Sequence, residues 1–386
     1  MNIIVAPAAF KGSLSAAEAA QAIEAGVRAV IPEAEVASLP LADGGQGTVE
    51  ALVAATGGRV VRRRALGPLR EPVDSYFGIL GDDVTGVIEM SAASGLRLVP
   101  PERRDPRLTT SFGTGQLIAA ALDAGCKKLI IGLGDSATNE GGAGAVQALG
   151  VSLMDADGRQ LGPGGAELAR LERVDVSGLD PRIASATIWL ASDVSNPLCG
   201  PEGASAVYGP QKGATPEAVE ELERALMHYA QVIQRDLKIE IAHRPGAGAA
   251  GGLGAGLMAF LGAEMRMGIA VVLQAVRFED YLRDADLVLT GEGRIDEQVF
   301  HGKVLAGVGS AAKKFNVPVI AFAGQVAQET EALEAIGLAA CVPICPSPAA
   351  EAESMAHAAG LLQQAVERTV RVLIVGARLG RVHQAP

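Results

Sequence analysis

Three carboxylates and one arginine fall within six residues of the segment 285–303, which reads ADLVLTGEGRIDEQVFHGK. They are Glu292, Arg294, Asp296 and Glu297. Closely spaced carboxylates can hold a divalent cation or accept a proton from a hydroxyl group. The plainer alternative is a polar loop in which Asp296 caps the next helix. The sequence therefore predicts either a metal- or proton-binding site or a helix cap in this segment.

An apolar run, Leu287–Leu289, precedes these side chains and is typical of a strand buried on both faces of a parallel sheet. The character of the sequence changes at Thr290, where Gly291 and Gly293 allow a tight turn. Open α/β sheets bind their ligands at the carboxyl ends of such strands. We therefore expect a strand that ends here and a loop that carries the polar side chains.

Several other loops combine glycines with Ser, Thr or carboxylate residues directly before a predicted helix. Together with the first segment they are residues 42–48, 111–115, 134–144, 245–256 and 290–297. Backbone N–H groups at a helix N-terminus bind anions, and glycine lets the anion approach closely. Because each terminus contributes only about 0.3–1 kcal/mol toward an exposed charge, one such loop predicts nothing. Several of them, with Asp residues interleaved, predict a site for phosphate and metal.

Phosphoryl transfer is the chemistry that such residues support. The reaction needs positive charge on the moving group and a carboxylate that orients the attacking hydroxyl or takes its proton. The candidate cations are Lys11, Lys212, Arg294 and Lys303. The candidate carboxylates, for Mg²⁺ or for the proton, are Asp43, Asp193, Glu292 and Asp296.

Each candidate also has a plainer interpretation, in which it serves loop structure or solvation. These roles are a solvated loop lysine for Lys11, surface charges for Lys212 and Lys303, turn formation for Asp43 and Asp193, and an ordinary loop position for Asn139. The residues alone leave both interpretations open at these positions.

A dinucleotide-binding enzyme is the obvious competitor, because Gly246, Gly248 and Gly251 match G-x-G-x-x-G. That fingerprint needs a preceding strand and an acidic residue roughly 20 positions later that closes a second strand. Glu264 has the spacing, but it follows a predicted helix. The context therefore argues against NAD binding. The sequence also contains no G-x-x-x-x-G-K-[ST] loop and no G-x-S-x-G hydrolase motif.

Composition excludes several classes of partner. The net charge of −11 argues against nucleic acid or an anionic membrane, although it leaves room for a small anion held by local Lys and Arg residues. No apolar run reaches the roughly 18 residues of a membrane span, and the chain begins directly with a predicted strand. Four cysteines show no metal-site spacing beyond one C-x-x-x-C and predict no disulfide framework. We therefore expect a reduced, cytoplasmic protein.

The order of predicted elements indicates the fold class, α/β. The first 58 residues read β-α-β-α, and Ser15 with Glu18 fits a capping box at the start of the first helix. Residues 59–89 then show short alternating segments typical of an antiparallel or mixed sheet, with Arg62–Arg64 at a solvated strand edge. From Ala285 the β-α pattern returns. We predict two α/β domains: a discontinuous Rossmann-like parallel-sheet domain, 1–60 plus 280–386, and an inserted mixed α/β domain, 61–279.

Ten ordered motifs resemble those of the type I glycerate kinase family, from the first strand to the final helix. They are APAAFKGSLSA (6–16), PLADGGQGTVEAL (40–52), EMSAASGL (89–96), TTSFGTG (109–115), GDSATNEGGAGAVQALG (134–150), SDVSNPLCG (192–200), YGPQKGA (208–214), PGAGAAGGLGAGLMAFLGAE (245–264), LTGEGRID (289–296) and HGK (301–303). The resemblance implies an ATP- and Mg²⁺-dependent kinase for D-glycerate, which in the bacterial members gives 2-phosphoglycerate. It also implies two α/β domains with the active site in the cleft between them.

On this basis we hypothesise a glycerate 2-kinase whose partners are D-glycerate and ATP. The predicted catalytic residues are Asp193, Asp296 and Lys11, without a division of base and metal roles between the two aspartates. Asp43 and Glu292 are predicted to bind the metal. The predicted substrate- or phosphate-binding residues are Ser13, Asn139, Asn196, Lys212, Gly248, Gly251, Arg294 and Lys303. The sequence predicts no oligomeric state.

Four positions depart from the family pattern. Ala8 and Gln46 stand where the family has Asp and Glu, and Asp135 and Glu140 stand where it has Gly and Asp. Glu140 keeps a carboxylate and Gln46 keeps a hydrogen-bond acceptor. Ala8 deletes a carboxylate at the end of the first strand. The alternative function is therefore a catalytically impaired or substrate-shifted member that binds glycerate or a nucleotide.

Overall fold

The structure, a computed structural model, describes residues 1–296, 304–327, 330–345 and 351–382. The chain divides into two compact units. Unit 1 comprises Met1–Asp43, Glu50–Ala55 and Val272–Pro386, and unit 2 comprises Gly44–Val49 and Thr56–Val271. The predicted α/β fold class is confirmed. The predicted domain boundaries near residues 60 and 280 stay predictions.

The described strands form a parallel sheet, a mixed sheet and an antiparallel pair, Ser152–Met154 with Arg173–Asp175. They are β1 (Asn2–Val5), β2 (Glu35–Ser38), β3 (Arg59–Leu66), β4 (Pro72–Ile79), β5 (Thr85–Glu89), β6 (Lys128–Gly132), β7 (Ser152–Met154), β8 (Arg173–Asp175), β9 (Thr187–Ala191), β10 (Glu264–Arg266), β11 (Leu287–Ile295), β12 (Val319–Val326) and β13 (Ala340–Pro343).

The described helices are α1 (Ala16–Arg28), α2 (Thr48–Thr56), α3 (Ser91–Ser94), α4 (Phe112–Asp123), α5 (Ala143–Ala148), α6 (Ala204–Tyr208), α7 (Pro216–Leu237), α8 (Ala249–Leu261), α9 (Gly268–Ala275), α10 (Phe278–Leu282), α11 (Val304–Lys314), α12 (Thr330–Ala335), α13 (Glu351–Ala356) and α14 (Ala358–Val382). Short 3₁₀ turns lie at Leu96–Leu98, Pro101–Arg103, Gly165–Arg170, Pro181–Ser185 and Pro210–Lys212. Within the described residues, no helix has both the length and the apolar composition that crossing a bilayer requires.

The sheet of unit 1 is parallel and has the order β13-β12-β11-β1-β2 in the described residues. Ile3 of β1 pairs with Leu287 on one side and with Val36 on the other, so the first strand lies between segments from both ends of the chain. Near-continuous apolar runs in β1 and β11 suit strands that are covered on both faces.

One prediction about β11 is wrong. The chain does not turn after Leu289, because β11 continues to Ile295 and pairs with β12 as far as Val326. Glu292 and Arg294 therefore lie on an extended strand and not in a loop. Gly291 serves a close approach: a Cβ there would lie 2.5 Å from the Phe322 carbonyl oxygen.

The main sheet of unit 2 is mixed and has the order β10-β9-β6-β5-β4-β3 in the described residues. Strands β10, β9, β6 and β5 are parallel, whereas β4 and β3 are antiparallel. Arg62–Arg64 are exposed on the edge strand β3, as the sequence predicts. Trp189, the single tryptophan of the chain, lies on β9 and is buried between Lys128 and Arg266, each within 4 Å of its ring centroid.

Helix α1 begins as predicted, since Ser15 and Glu18 form the reciprocal bonds of a capping box. Near its other end α1 passes close to α14. A Cβ at Gly26 would lie 2.7 Å from the Gln363 carbonyl oxygen and 2.8 Å from Cβ of Val366. Both distances are shorter than real Cβ contacts, so a side chain at this position must push the two helices apart.

We expect Gly26→Ala to destabilise unit 1 by about 1–3 kcal/mol, because the added methyl overpacks the α1–α14 contact. Thermal unfolding followed by circular dichroism measures the change. Gly360→Ala is the matched control, since Gly360 lies on α14 with no atom within 4 Å of its would-be Cβ. That control should be neutral or stabilising by up to about 1 kcal/mol. Equal effects in the two variants would contradict the close packing.

Candidate functional site

Polar loops follow the parallel strands of unit 2 at the edge where those strands end. The loop after β6 is residues 134–144, and the loop after β9 begins at Ser192. At the end of β5, the buried Glu89 accepts a hydrogen bond from the Val49 N–H at 2.9 Å, in the first turn of α2. The carboxyl edge of this sheet therefore carries three of the sequence motifs named above, residues 89–96, 134–150 and 192–200.

Asp193 follows β9, and its side chain has a defined partner. Its Oδ1 accepts a hydrogen bond at 3.0 Å from the N–H of Gly268, the first residue of α9 and 75 positions away. The N–H groups at a helix start favour a negative charge, so this bond orients the carboxylate. Asp193 itself is exposed. The bond to Gly268 is a long-range contact, which turn formation alone does not explain.

Asn196 is held by its own loop and by the glycine-rich segment. Its Oδ1 accepts from the Tyr208 hydroxyl at 2.8 Å, and its Nδ2 donates to the Glu202 carbonyl at 2.8 Å. Its backbone carbonyl accepts from the Gly248 N–H at 2.9 Å. The structure thus brings the predicted residues Asn196 and Gly248 together.

The glycines of 134–144 and 245–256 allow the two loops to pack on each other. Gly251 has φ +67°, and a Cβ there would lie 1.8 Å from the Thr138 carbonyl oxygen. The Gly141 N–H donates to the Gly251 carbonyl at 3.1 Å. Only glycine fits at position 251, because it satisfies both the left-handed backbone and the close approach. Phosphate binding by these loops stays a prediction.

Asn139 is buried with no exposed surface, so it is not an ordinary loop residue. Its Nδ2 donates to the Ser205 hydroxyl at 2.8 Å. Its Oδ1 is buried and has no hydrogen-bond partner among the described residues. A buried amide oxygen without a partner is unusual and is expected to bind water or a ligand group.

Glu140, the next residue, is a buried carboxylate that is hydrogen-bonded to the N-termini of two helices. It accepts from the N–H of Ser111, which precedes α4, and from the N–H of Gly144 in the first turn of α5. Burial raises the pKa of Glu140, while these hydrogen bonds lower it. From the sequence, Glu140 was noted only as a departure from the family pattern. Its position in the run NEGG does not indicate that it accepts hydrogen bonds at two helix N-termini.

Lys212 is not the surface charge of the plainer interpretation, because only 2% of it is exposed. It ends the 3₁₀ turn Pro210–Lys212, and its Nζ donates to the Thr138 carbonyl at 2.7 Å. Burial lowers the pKa of its ammonium group from 10.5 to about 7. The hydrophobic periodicity of the sequence does not indicate that Lys212 is buried, because Lys212 lies in a short turn and not on a helix.

In unit 1, Lys11 lies beside the end of β11. A Cβ at Gly293 would lie 3.2 Å from the Lys11 backbone nitrogen, and the side chain of Lys11 is exposed. The Ser13 hydroxyl donates to the Phe10 carbonyl at 3.0 Å, which fixes the Lys11 turn. Arg294 Nε and Asp296 Oδ2 are 3.6 Å apart. The structure therefore brings Lys11 near the strand that carries Glu292 and Arg294.

Ala8 lies at the same sheet edge of unit 1. Its N–H donates to the Gly291 carbonyl at 2.8 Å, one residue before Glu292. Glu292 is 8% exposed. Burial of Cys341 is the main cause that raises the pKa of its thiol to about 11, and the charge of Glu292 adds to this effect. An Asp at position 8, which the resemblance implies for the family, would add charge close to Glu292.

No group of three or more His, Cys, Asp or Glu side chains in the described residues is arranged to hold a metal ion. Mg²⁺ usually binds one or two carboxylates together with waters and substrate phosphates, so it does not need a protein cage. Asp43, half-buried before Gly44, and Glu292 have the right oxygen chemistry and stay predicted ligands. Lys303 and Glu297 lie outside the described residues.

Comparison with known proteins gives a consistent result. A family model described as the glycerate kinase family matches residues 3–374. A relative from Bacillus subtilis, named glycerate kinase, is 50% identical over 99% of both chains. One from Escherichia coli K12, named glycerate 2-kinase, is 49% identical over 98% of this chain and 99% of its own. The crystal structure of a protein assigned as glycerate kinase 2 from Salmonella typhimurium LT2 superposes with a TM-score of 0.91, at 49% identity and 98% and 99% coverage.

The buried amine of Lys212 makes stability depend on pH. In the unfolded chain the lysine pKa is about 10.4, so between about pH 7 and about pH 10 the unfolded chain holds a proton that the folded chain has lost. Wild-type stability therefore rises with pH relative to Lys212→Met, by up to about 1.4 kcal/mol per pH unit. Below about pH 7 both states are protonated and the difference is constant.

Urea unfolding followed by Trp189 fluorescence measures this difference, because Trp189 belongs to unit 2 with Lys212. Lys127→Met is the matched control, since Lys127 is exposed in the same unit. Its stability curve should run parallel to the wild type at all pH values. If Lys212→Met also runs parallel, the amine titrates normally and the buried position is wrong.

Proposed function

The chain belongs to the glycerate kinase family, and on that premise we propose that it transfers the γ-phosphoryl group of ATP to the 2-hydroxyl of D-glycerate, giving 2-phosphoglycerate. The observation that carries the proposal is the full-length match to this family at about half identity. The choice of the 2-hydroxyl rests on the relative named glycerate 2-kinase.

Asp193 and Asp296 are the candidates for the general base that takes the proton of the attacking hydroxyl. The Gly268 N–H fixes the direction of the Asp193 carboxylate, which favours a precise approach to a hydroxyl. Arg294 beside Asp296 offers a cation for phosphate or for the glycerate carboxylate. Lys11 supplies a second, exposed cation next to the same strand.

Mg²⁺ is the proposed cofactor, with Asp43 and Glu292 as its protein ligands; when bound, it neutralises phosphate charge. The remaining residues bind and orient. Ser13, Asn139, Asn196, Gly248, Gly251, Arg294, Lys212 and Lys303 are the candidates for contacts with the phosphates or with glycerate. Asn139 is the best supported of them, because its buried Oδ1 lacks a partner in the described residues.

The proposed location is the cytoplasm, which fits the four free cysteines of the described residues. The proposed partners are the two small-molecule substrates, and the net charge of −11 disfavours nucleic acid.

The second candidate function is a binder of glycerate or nucleotide without turnover. The observation that favours it is Ala8, whose backbone joins the sheet edge beside Glu292 but brings no carboxylate there. Replacing Ala8 by Asp should raise kcat if the missing charge limits the reaction.

Purified protein with ATP, Mg²⁺ and D-glycerate should give 2-phosphoglycerate, followed by ³¹P NMR. A 3-phosphoglycerate signal would keep the kinase and overturn the choice of hydroxyl. Binding of D-glycerate in a thermal-shift assay without any product would favour the second candidate function.

We expect Asp296→Asn to lower kcat by about 10²–10⁴-fold while leaving the unfolding temperature unchanged, because the amide cannot accept the hydroxyl proton. Steady-state kinetics and circular dichroism measure the two effects. Asp284→Asn, an exposed carboxylate of the same unit, is the control and should behave as the wild type. A near-normal kcat for Asp296→Asn would remove this residue from the catalytic candidates.

A further inference from the structure

The loop 134–144 is fastened to its surroundings at almost every residue. The Asp135 carbonyl accepts from the Leu96 N–H, the Ala137 carbonyl from the Thr109 hydroxyl, the Thr138 carbonyl from Lys212 Nζ, the Glu140 carboxylate from the Ser111 N–H, and the Gly141 N–H donates to the Gly251 carbonyl. Among these bonds, that of Thr138 has a side-chain amine as its donor.

Thr138 is also the residue against which Gly251 packs. The carbonyl oxygen of Thr138 therefore lies between the Lys212 amine and the backbone at Gly251. The next residue is Asn139, whose side chain reaches Ser205 and keeps one buried oxygen without a partner in the described residues. A shift of the Thr138 peptide would therefore move Asn139.

The turn that delivers Lys212 is itself fixed. The Lys212 N–H donates to the Gly209 carbonyl at 3.0 Å, and the Ala214 N–H donates to the same carbonyl at 3.1 Å. Lys212 thus enters the interior from a rigid turn. Its Nζ donates to the Thr138 carbonyl, so in this arrangement the amine is engaged by the loop.

We propose that Lys212 is a positioning residue: it acts on phosphoryl transfer through the Thr138 carbonyl, by holding Asn139 and its loop in place, and its protonated amine is the form that does so. The inference rests on the proposed kinase function for the role of the loop. It replaces direct substrate binding by Lys212 with an indirect action.

The charge matters because a hydrogen bond from an ionised donor is roughly twice as strong as one between neutral groups. Burial of the amine lowers the pKa of Lys212 to about 7, and among the described residues no neighbouring charge contributes to this shift. The amine therefore loses its proton just above neutral pH. The Thr138 carbonyl then accepts only from a neutral amine, which is a weaker donor, so this local bond weakens. The folded unit as a whole still becomes more stable, because it no longer holds a buried charge.

Other titratable groups surround this part of unit 2 and must be separated from Lys212. They are Glu140 in the loop, Tyr208 on α6, Tyr229 on α7, and Arg104 in the segment that follows the 3₁₀ turn at Pro101–Arg103. Burial raises the pKa of both tyrosines, so they stay neutral below about pH 10. The pKa of Glu140 is also raised, which makes Glu140 the rival group.

The test is the pH profile of kcat/KM for D-glycerate at saturating Mg²⁺ and ATP. From about pH 7 to about pH 9 the wild-type value should fall by about tenfold or more, with an apparent pKa near that of Lys212. Above about pH 7 the charge of ATP changes little, so its own titration does not produce this fall.

Four variants identify the group responsible. Lys212→Arg keeps its charge at every pH and should give a flat profile. Lys212→Met should also be flat, but with kcat/KM lower by about tenfold near pH 7. Glu140→Gln should keep the wild-type fall, whatever its absolute rate. Lys127→Met, an exposed lysine outside the site, should match the wild type throughout.

A flat wild-type profile, or an undiminished fall in Lys212→Met, would overturn the inference. Disappearance of the fall in Glu140→Gln alone would assign it to Glu140 and also overturn it. If Lys212→Arg does not fold, Lys212→Met decides the matter.

Hydrogen exchange separates this inference from the proposed function, because it needs no turnover. Peptides that cover 134–144 should exchange about tenfold faster in Lys212→Met than in the wild type near pH 7, while peptides of unit 1 should not change. Unchanged exchange in the loop would refute the positioning role even in an active enzyme. If the wild type shows no turnover but exchange in the loop changes as expected, the kinase proposal is refuted and the positioning role of Lys212 stands.

Discussion

The contact between the Gly251 backbone and the Thr138 carbonyl is the constraint on which the rest of unit 2 depends. It holds two glycine-rich loops at a separation that excludes even a methyl group. Once they are so close, the Thr138 carbonyl cannot reach water and must find a donor inside the protein. Lys212 provides that donor, and the next two residues of the loop, Asn139 and Glu140, are buried as well. Backbone proximity thus comes first, and the polar residues follow from it.

The local features of the fold could be predicted because each is encoded within a few residues. The capping box of Ser15 and the exposed edge at Arg62–Arg64 are examples. The end of β11 could not be predicted, because it is set by pairing with β12. That strand lies more than twenty residues later in the chain, so the residues around Thr290 carry no sign of it. Glycines that look like turn residues at 291 and 293 serve instead to let Phe10 and the Phe322 carbonyl approach.

The candidate site was predictable as a set of loops but not as a set of contacts. The burial of Lys212 depends on where a single 3₁₀ turn sits against Thr138, which no periodicity reveals. The partner of Asp193 is likewise the start of a distant helix. Motif resemblance supplied the candidate residues, whereas only the structure assigns the hydrogen bonds that orient them. The roles of those residues in catalysis stay predictions.

The split of unit 1 between the two ends of the chain has a consequence for biosynthesis. Strand β1 pairs with β11, so Val5 leaves the ribosome long before its neighbour Leu289 is made. At about 5–20 residues per second, the delay is roughly 15–60 s. During that time β1 can pair with β2, but the edge of β1 that faces β11 stays unpaired while unit 2 is synthesised. The parallel sheet of unit 1, as far as the structure describes it, can therefore be completed only after unit 2 has been translated.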